Sequence, residues 1–255
     1  VEQVEEVEEP PPYEVFDVDL AMDHIHYLSV SIGYRPGGRD TEHMAAQYVK
    51  SVFSSIGYDQ VYEQRFTLDN GLPSSNIYVI DRGLDENNII IIGAHYDSAG
   101  GTNSPGANDN GSGVAAVLEL ARVFRVNDNL PTLVFAAFGS EEVLEGYGKN
   151  NHHYGSRYMA NNLSQIPGNV IGMISIDMVS VGSYILLNST LSAPRTLTDV
   201  FMAYASQHNI PTQLRSFAKP ACRSKPASRS SAFHSAQQAM LMPLWGACSR
   251  MTTAA

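Results

Sequence analysis

Cysteine is scarce in this chain. Its 255 residues include two, Cys222 and Cys248, with no CxxC spacing. That excludes a cysteine-built zinc knuckle and leaves a pair that could form one disulfide or stay free. Long apolar runs are missing too: no stretch of about 18 apolar residues occurs, so no segment reads as a membrane span. Basic residues are outnumbered, 16 Lys and Arg against 26 Asp and Glu, for a net charge of −10. Nucleic-acid binding wants a basic face and is not expected. There is no internal repeat. No Asp or Glu follows Asp199, and the first residue is Val1 rather than Met. The chain thus reads as a processed or trimmed product, with room for a targeting segment removed ahead of it.

The composition is otherwise that of a globular protein, 44% hydrophobic and 16% charged, long enough to bury a substantial core. Residues 1–16 form an acidic lead-in tipped by Pro10-Pro11-Pro12, a solvated and semi-rigid stretch. Such a stalk points to an extracellular, periplasmic or surface-anchored protein. The rest, residues 17–255, reads as the functional domain.

Periodicity predicts a helix over 17–31 and a second from Asp40 or Thr41 to Gly57. Strands are expected at 61–68 and 76–80, with a glycine turn between them. The apolar runs at 88–94, 132–138 and 170–176 read as strands covered on both faces. Helices are expected at 113–123 and 196–207. Strands alternating with helices predict a three-layer α/β/α sandwich around a mixed, mostly parallel sheet. In such sheets, sites form beyond the carboxyl ends of the strands.

That is where the metal-type residues fall. His95 and Asp97 end one apolar run, Glu141-Glu142 follow a second and Asp177 a third, while Asp109 opens the turn Asp109-Asn110-Gly111-Ser112-Gly113. One imidazole and several carboxylates suit a divalent cation, and zinc takes such a mixture. Two adjacent cations need a bridging carboxylate, and a carboxylate nearby can take the proton of an attacking water. Glu141 and Glu142 can share such work only if the backbone ends its strand irregularly, because neighbouring side chains otherwise diverge. Gly106, Gly111 and Gly113 would let the backbone pass close to the metals.

The blocks GAHYDS, PGANDNGSGVAAVLELAR, FAAFGSEE, GSRYMA and ISIDMVS together resemble the co-catalytic zinc exopeptidases. That group includes bacterial leucyl aminopeptidases and aminopeptidase Y, with glutamate carboxypeptidase II and the glutaminyl cyclases as relatives. The segment SIGYRPGGRDTEHMAAQYVKSVFSSIGY extends the resemblance, which covers residues 20–190. It implies that His95 and Asp177 bind a first zinc and Asp109 bridges to a second, which Glu142 also holds. Glu141 would be the general base. Asp97 would serve catalysis by accepting the other ring N–H of His95, and a cis peptide often precedes Asn110. The implied activity is aminopeptidase hydrolysis of peptide or protein N-termini with two zinc ions.

One ligand is missing from that pattern. The family places a Ser-Asp-His turn near the C-terminus, and the tail here reads SRSSAFHSAQQAMLMPLWG. Either His234 is the ligand, with Phe233 in place of the aspartate, or Ser228-Arg229-Ser230 fills the turn and the ligand is lost. Two zinc ions are expected in the first case and one in the second. The stretch from about residue 216 is atypical, as a truncated or frame-damaged end would be. The alternatives are a single-zinc acyltransferase resembling the glutaminyl cyclases, or a binding homologue without catalysis. Read alone, His152-His153 look solvated, and Asn110-Gly-Ser, Asn162-Leu-Ser and Asn188-Ser-Thr match the glycosylation pattern, the first of them within the candidate site. Gly111-Ser112-Gly113 lacks the lysine of a phosphate-binding loop. Oligomeric state is not legible.

Overall fold

The computed structural model describes residues 15–126, 129–148, 151–190 and 194–217. Helix α1 (Val18–His26) is capped by Asp17, whose carboxylate accepts from the N–H groups of Asp19 and Leu20, filling donors that the first turn leaves open. The expected single helix then widens into a π turn over Tyr27–Ile32. Gly33 N reaches back five residues to Leu28 O at 3.0 Å, and the same carbonyl accepts from Arg35. Helix α2 (Asp40–Ile56) stops at Gly57, whose φ of 101° gives the left-handed C-cap.

Five strands form the main sheet: β1 (Tyr62–Thr67), β2 (Pro73–Asp81), β3 (Asp85–His95), β4 (Pro131–Phe138) and β5 (Asn169–Ser175). Their order is β1-β2-β4-β3-β5. β2 pairs antiparallel with both β1 and β4, whereas β3 pairs parallel with β4 and β5. Four of the five strands therefore run one way and β2 runs against them. β2 starts three residues earlier than the expected 76–80. The added Ser74 and Ser75 are buried and partner buried polar groups, which a hydrophobic pattern cannot register.

The central strands bury both faces by period-two alternation. Ile92 and Ala94 of β3, with Leu133, Phe135 and Ala137 of β4, meet α2 and helix α3 (Ser112–Arg125) on one side. Ile89 and Ile91, with Val134, Ala136 and Phe138, meet helix α4 (Tyr154–Asn161) through Met159 and Ala160 on the other. This is the expected three-layer sandwich. Each of the larger side chains, Ile, Leu, Val, Phe or Met, contributes roughly 1.5–3 kcal/mol by burial, so the strand ends that carry the site stand on a rigid base.

The sequence pattern did not predict α4. Its segment YGSRYMAN holds a glycine and no long apolar stripe. It also missed β6 (Ile185–Thr190) and β7 (Thr212–Phe217), which pair parallel around α5 (Thr196–Gln207). Leu187, Phe201, Ala205 and Ile210 make a small core there. No helix among the described residues is long and apolar enough to cross a membrane. His234, Ser230 and both cysteines lie outside the described residues.

Candidate metal centre

Strands β4, β3 and β5 are neighbours and parallel, so their carboxyl ends open on the same edge. Adjacent strands lie about 4.8 Å apart, and the residues just beyond them can touch. His95 closes the middle strand. Its Nε2 is 3.2 Å from Asp109 Oδ1, 3.6 Å from Asp177 Oδ1 and 4.0 Å from Glu141 Oε2. Ligand atoms of His95, Asp109 and Glu142 lie within 4.8 Å of one another. The imidazole is only 5% exposed, while the Asp109, Asp177 and Glu141 side chains are 41%, 30% and 23% exposed. His95, Glu141 and Asp177 line a recess together with Phe138 and Ser175.

Asp97 does more than steady His95. Its Oδ1 is 3.4 Å from His95 Nδ1, and its two oxygens accept from Glu141 N at 2.9 Å and Glu142 N at 3.0 Å. A fully buried carboxylate therefore pins the backbone of both glutamates beside the imidazole. The irregular strand end required of that pair is also present. Ser140 has a φ of 52°, a left-handed backbone uncommon outside glycine, and it turns the chain after β4.

Ser140 is held in turn by Glu42, a buried residue of α2. Glu42 Oε1 accepts from Ser140 Oγ at 2.8 Å and Ser74 Oγ at 2.9 Å, and Oε2 accepts from Gly38 N at 2.6 Å. Burial, reinforced by the nearby charge of Asp97, raises the Glu42 carboxyl to about 8 against these three donors. A folded-state pKa above the unfolded value means that the folded state holds the extra proton. This contribution to stability is complete below the ordinary carboxyl value of about 4.5 and is lost as pH rises to about 8. Glu42→Gln should remove that pH dependence. Melting temperatures from pH 4 to 9 check it: an undiminished decline in the variant would assign the effect to another group.

A second scaffold holds Asp109 against Asp177. The peptide Asp109–Asn110 is cis, as the resemblance implied. Asn110 is buried; its Nδ2 donates to Ile176 O at 2.8 Å, and its Oδ1 accepts from Gly113 N at 2.9 Å and Met178 N at 3.2 Å. Asn108 Oδ1 accepts from Ser180 N at 3.1 Å. The turn carrying Asp109 is thereby laced to the segment carrying Asp177. A Cβ on Gly113 would sit 2.3 Å from Asn110 Oδ1 and 2.4 Å from Ile176 O. Gly113→Ala should cost roughly 1–3 kcal/mol, the usual range for overpacking, read as a lower urea midpoint. An unchanged midpoint would show that this lacing can yield.

Arg35 is fully buried. Its guanidinium donates to the carbonyls of Tyr96 (2.6 Å), Leu28, Gly33, Pro105 and Gly106 (2.8 Å). Burial lowers its pKa to about 10, opposed by Asp97 and Asp109. This side chain staples the loop between His95 and Asp109, and no local pattern marks it. His152 and His153 also depart from the solvated reading. Both are half-buried, and His153 Nδ1 lies against Glu141 Oε1.

The electrostatics of the cluster suit a cation. Burial opposes a proton on His95, yet Asp109, Asp177, Asp97 and Glu141 outweigh it and hold the pKa well above its ordinary value. The hydrogen bond from His95 lowers Asp109. Burial and the repulsion of Asp109, Asp97 and Glu141 raise Glu142 to about 7, against the pull of His95. Asp177 Oδ1 and His95 Nδ1 are buried without hydrogen-bond partners, which is costly for polar atoms. The same negative field that attracts a proton to His95 attracts a divalent metal, with the imidazole then neutral. One nitrogen and three carboxylate donors match zinc.

The structure so far is an α/β/α sandwich with an imidazole and carboxylate cluster at the carboxyl edge of three parallel strands. Residues 76–235 match peptidase family M28, and the chain belongs to that family. It is 39% identical over 125 residues to the uncharacterized protein YfbL of Escherichia coli, covering 46% of this chain and 38% of that protein. It is 35% identical over 150 residues to a probable zinc metalloprotease of Pyricularia oryzae, covering 58% and 27% respectively. The chain spans less than half the length of each of these relatives. A leucine aminopeptidase precursor from Bacteroides thetaiotaomicron superposes with a TM-score of 0.66 at 20% identity, covering 81% of this chain and 79% of that one. A glutaminyl cyclase from an Acidobacteriales bacterium gives 0.69 at 17% identity, covering 90% and 87%. These structural likenesses establish the fold.

Proposed function

We propose that this protein is a zinc-dependent hydrolase that removes residues from peptide N-termini. The observation that carries the reading is the meeting of His95, Asp109, Glu142 and Asp177 at one edge, with Glu141 facing the same recess. Membership of peptidase family M28 supports it, as does the likeness to a protein named as a probable zinc metalloprotease.

His95 and Asp177 would hold one zinc ion, Glu142 a second, and Asp109 would bridge them. Bound there, zinc supplies Lewis acidity toward a scissile carbonyl and toward water. Glu141 takes the proton from water as the oxygen attacks the carbonyl carbon, and gives it to the departing amine nitrogen. Asp97 keeps Glu141 and Glu142 at their stations through the two backbone N–H groups. Glu142, half-buried in this acidic environment, is placed to meet a free α-amino group.

Zinc content and a panel of aminoacyl anilides test the reading together. Chelation should abolish hydrolysis and added zinc restore it. One equivalent of zinc with cyclisation of N-terminal glutamine would favour the acyltransferase instead. Full zinc loading with neither activity would leave a binding homologue.

A further inference from the structure

A second group of potential ligands lies outside this cluster, across Glu141. The ligand atoms of Glu141, His152 and His153 fall within 4.8 Å of one another. The two oxygens of Glu141 face opposite ways: Oε2 toward His95 at 4.0 Å, and Oε1 toward His153 Nδ1. His153 Nδ1 is buried and makes no hydrogen bond. The two imidazoles stand edge to face, with centroids 4.0 Å apart.

Backbone bonds hold this arrangement in place. His153 N donates to Glu141 O at 2.6 Å, Tyr154 N to Ser140 O at 2.9 Å and Gly155 N to Gly139 O at 3.0 Å. The histidines are therefore zipped against the segment that carries Glu141. His153 has a φ of 58°, and this left-handed residue lets two successive side chains address one carboxylate where an extended chain would part them. Arg157 is an opposing charge whose field reaches His152, and it is engaged elsewhere. Its Nε donates to His153 O at 3.2 Å and its guanidinium lies 5.2 Å from the Tyr154 ring centre.

We propose that Glu141, His152 and His153 form an additional, weaker cation site that takes zinc and shuts the enzyme down when zinc is in excess. Two imidazole nitrogens and one carboxylate oxygen are a usual three-ligand set for that ion. Zinc–ligand bonds of about 2.0–2.2 Å would draw the three groups together, with a fourth position left for water. A carboxylate that holds a cation through Oε1 is a poor proton acceptor, so occupation disables Glu141. That consequence rests on the base role proposed above; the binding itself does not.

The test titrates chelator-stripped full chain with zinc by calorimetry, beside the double variant His152→Gln/His153→Asn. Asparagine tolerates the left-handed backbone that His153 adopts, so the turn should persist. The wild type should show a tight class of sites and one weaker site. The double variant should keep the tight class, which also reports that it is folded, and bind at the weaker site at least about tenfold less well. Where turnover is measurable, excess zinc should inhibit the wild type and spare the variant.

A wild type without the weaker site, or a variant that retains it unchanged, overturns the proposal. Asp109→Asn separates the two readings: it should weaken the tight class and leave the weaker site. If the wild type has only the weaker site and the double variant loses it, the two-ion reading falls and this one stands. Should the double variant not fold, His152→Gln alone is read by the same criterion.

Discussion

Glu141→Gln should leave the tightly bound zinc unchanged and lower kcat by about two to four orders of magnitude, the range that general-base catalysis commonly supplies. The change is nearly isosteric, and it removes proton affinity while keeping shape. The backbone bond from Glu141 N to Asp97 Oδ1 at 2.9 Å does not involve the side chain, so the Glu142 ligand stays in place. KM should move little, because the proton is taken only as water attacks. Steady-state kinetics with elemental analysis checks both halves. A fall of less than about tenfold would mean that another group takes the proton. Loss of the tightly bound zinc together with activity would make Glu141 a ligand of that centre.

Asp97→Asn should weaken zinc binding by about 10–100-fold, the usual price of losing a group that orients a metal ligand. Both carboxylate oxygens are engaged, one with Glu141 N and the other with Glu142 N. An amide cannot serve both, because its NH2 group would face an N–H donor. His95 Nδ1 loses its anionic neighbour at 3.4 Å in the same change. The buried position offers no water to repair the loss. Activity at saturating zinc should recover only in part, since the glutamate pair also shifts. Unchanged zinc affinity would show that the backbone turn at Ser140 holds the glutamates unaided.

The two variants divide the site by what each residue touches. Glu141 meets the reacting atoms, and Asp97 acts through the groups it holds. The Glu42 carboxyl bears on a different property, because it accepts from the hydroxyls of Ser140 and Ser74 and its titration makes the turn under Glu141 sensitive to pH.

The strand runs of β3, β4 and β5 were readable because strands covered on both faces must be apolar at every position. The metal-type residues at their ends were readable by type, since imidazole and carboxylates rarely follow such runs three times over. His95, Asp109 and Asp177 do meet, as that reading required. The serines of β2, the buried Arg35 and Glu42, and the pairing of His153 with Glu141 were not readable. A buried polar residue looks in sequence like an exposed one, and its burial depends on partners far along the chain. Arg35 lies 61 residues from the Tyr96 carbonyl it serves, and Glu42 lies 98 from Ser140.

By itself, the sequence determined the kind of atoms available for a cation, the strands that carry them and the layered class of the fold. Each follows from side-chain chemistry and local periodicity. Only the tertiary structure decided that β4, β3 and β5 stand side by side, that Asp97 clamps two glutamates, and that two histidines flank the far oxygen of Glu141. Those facts depend on pairings between distant segments, which strand register and backbone turns set and local pattern does not encode.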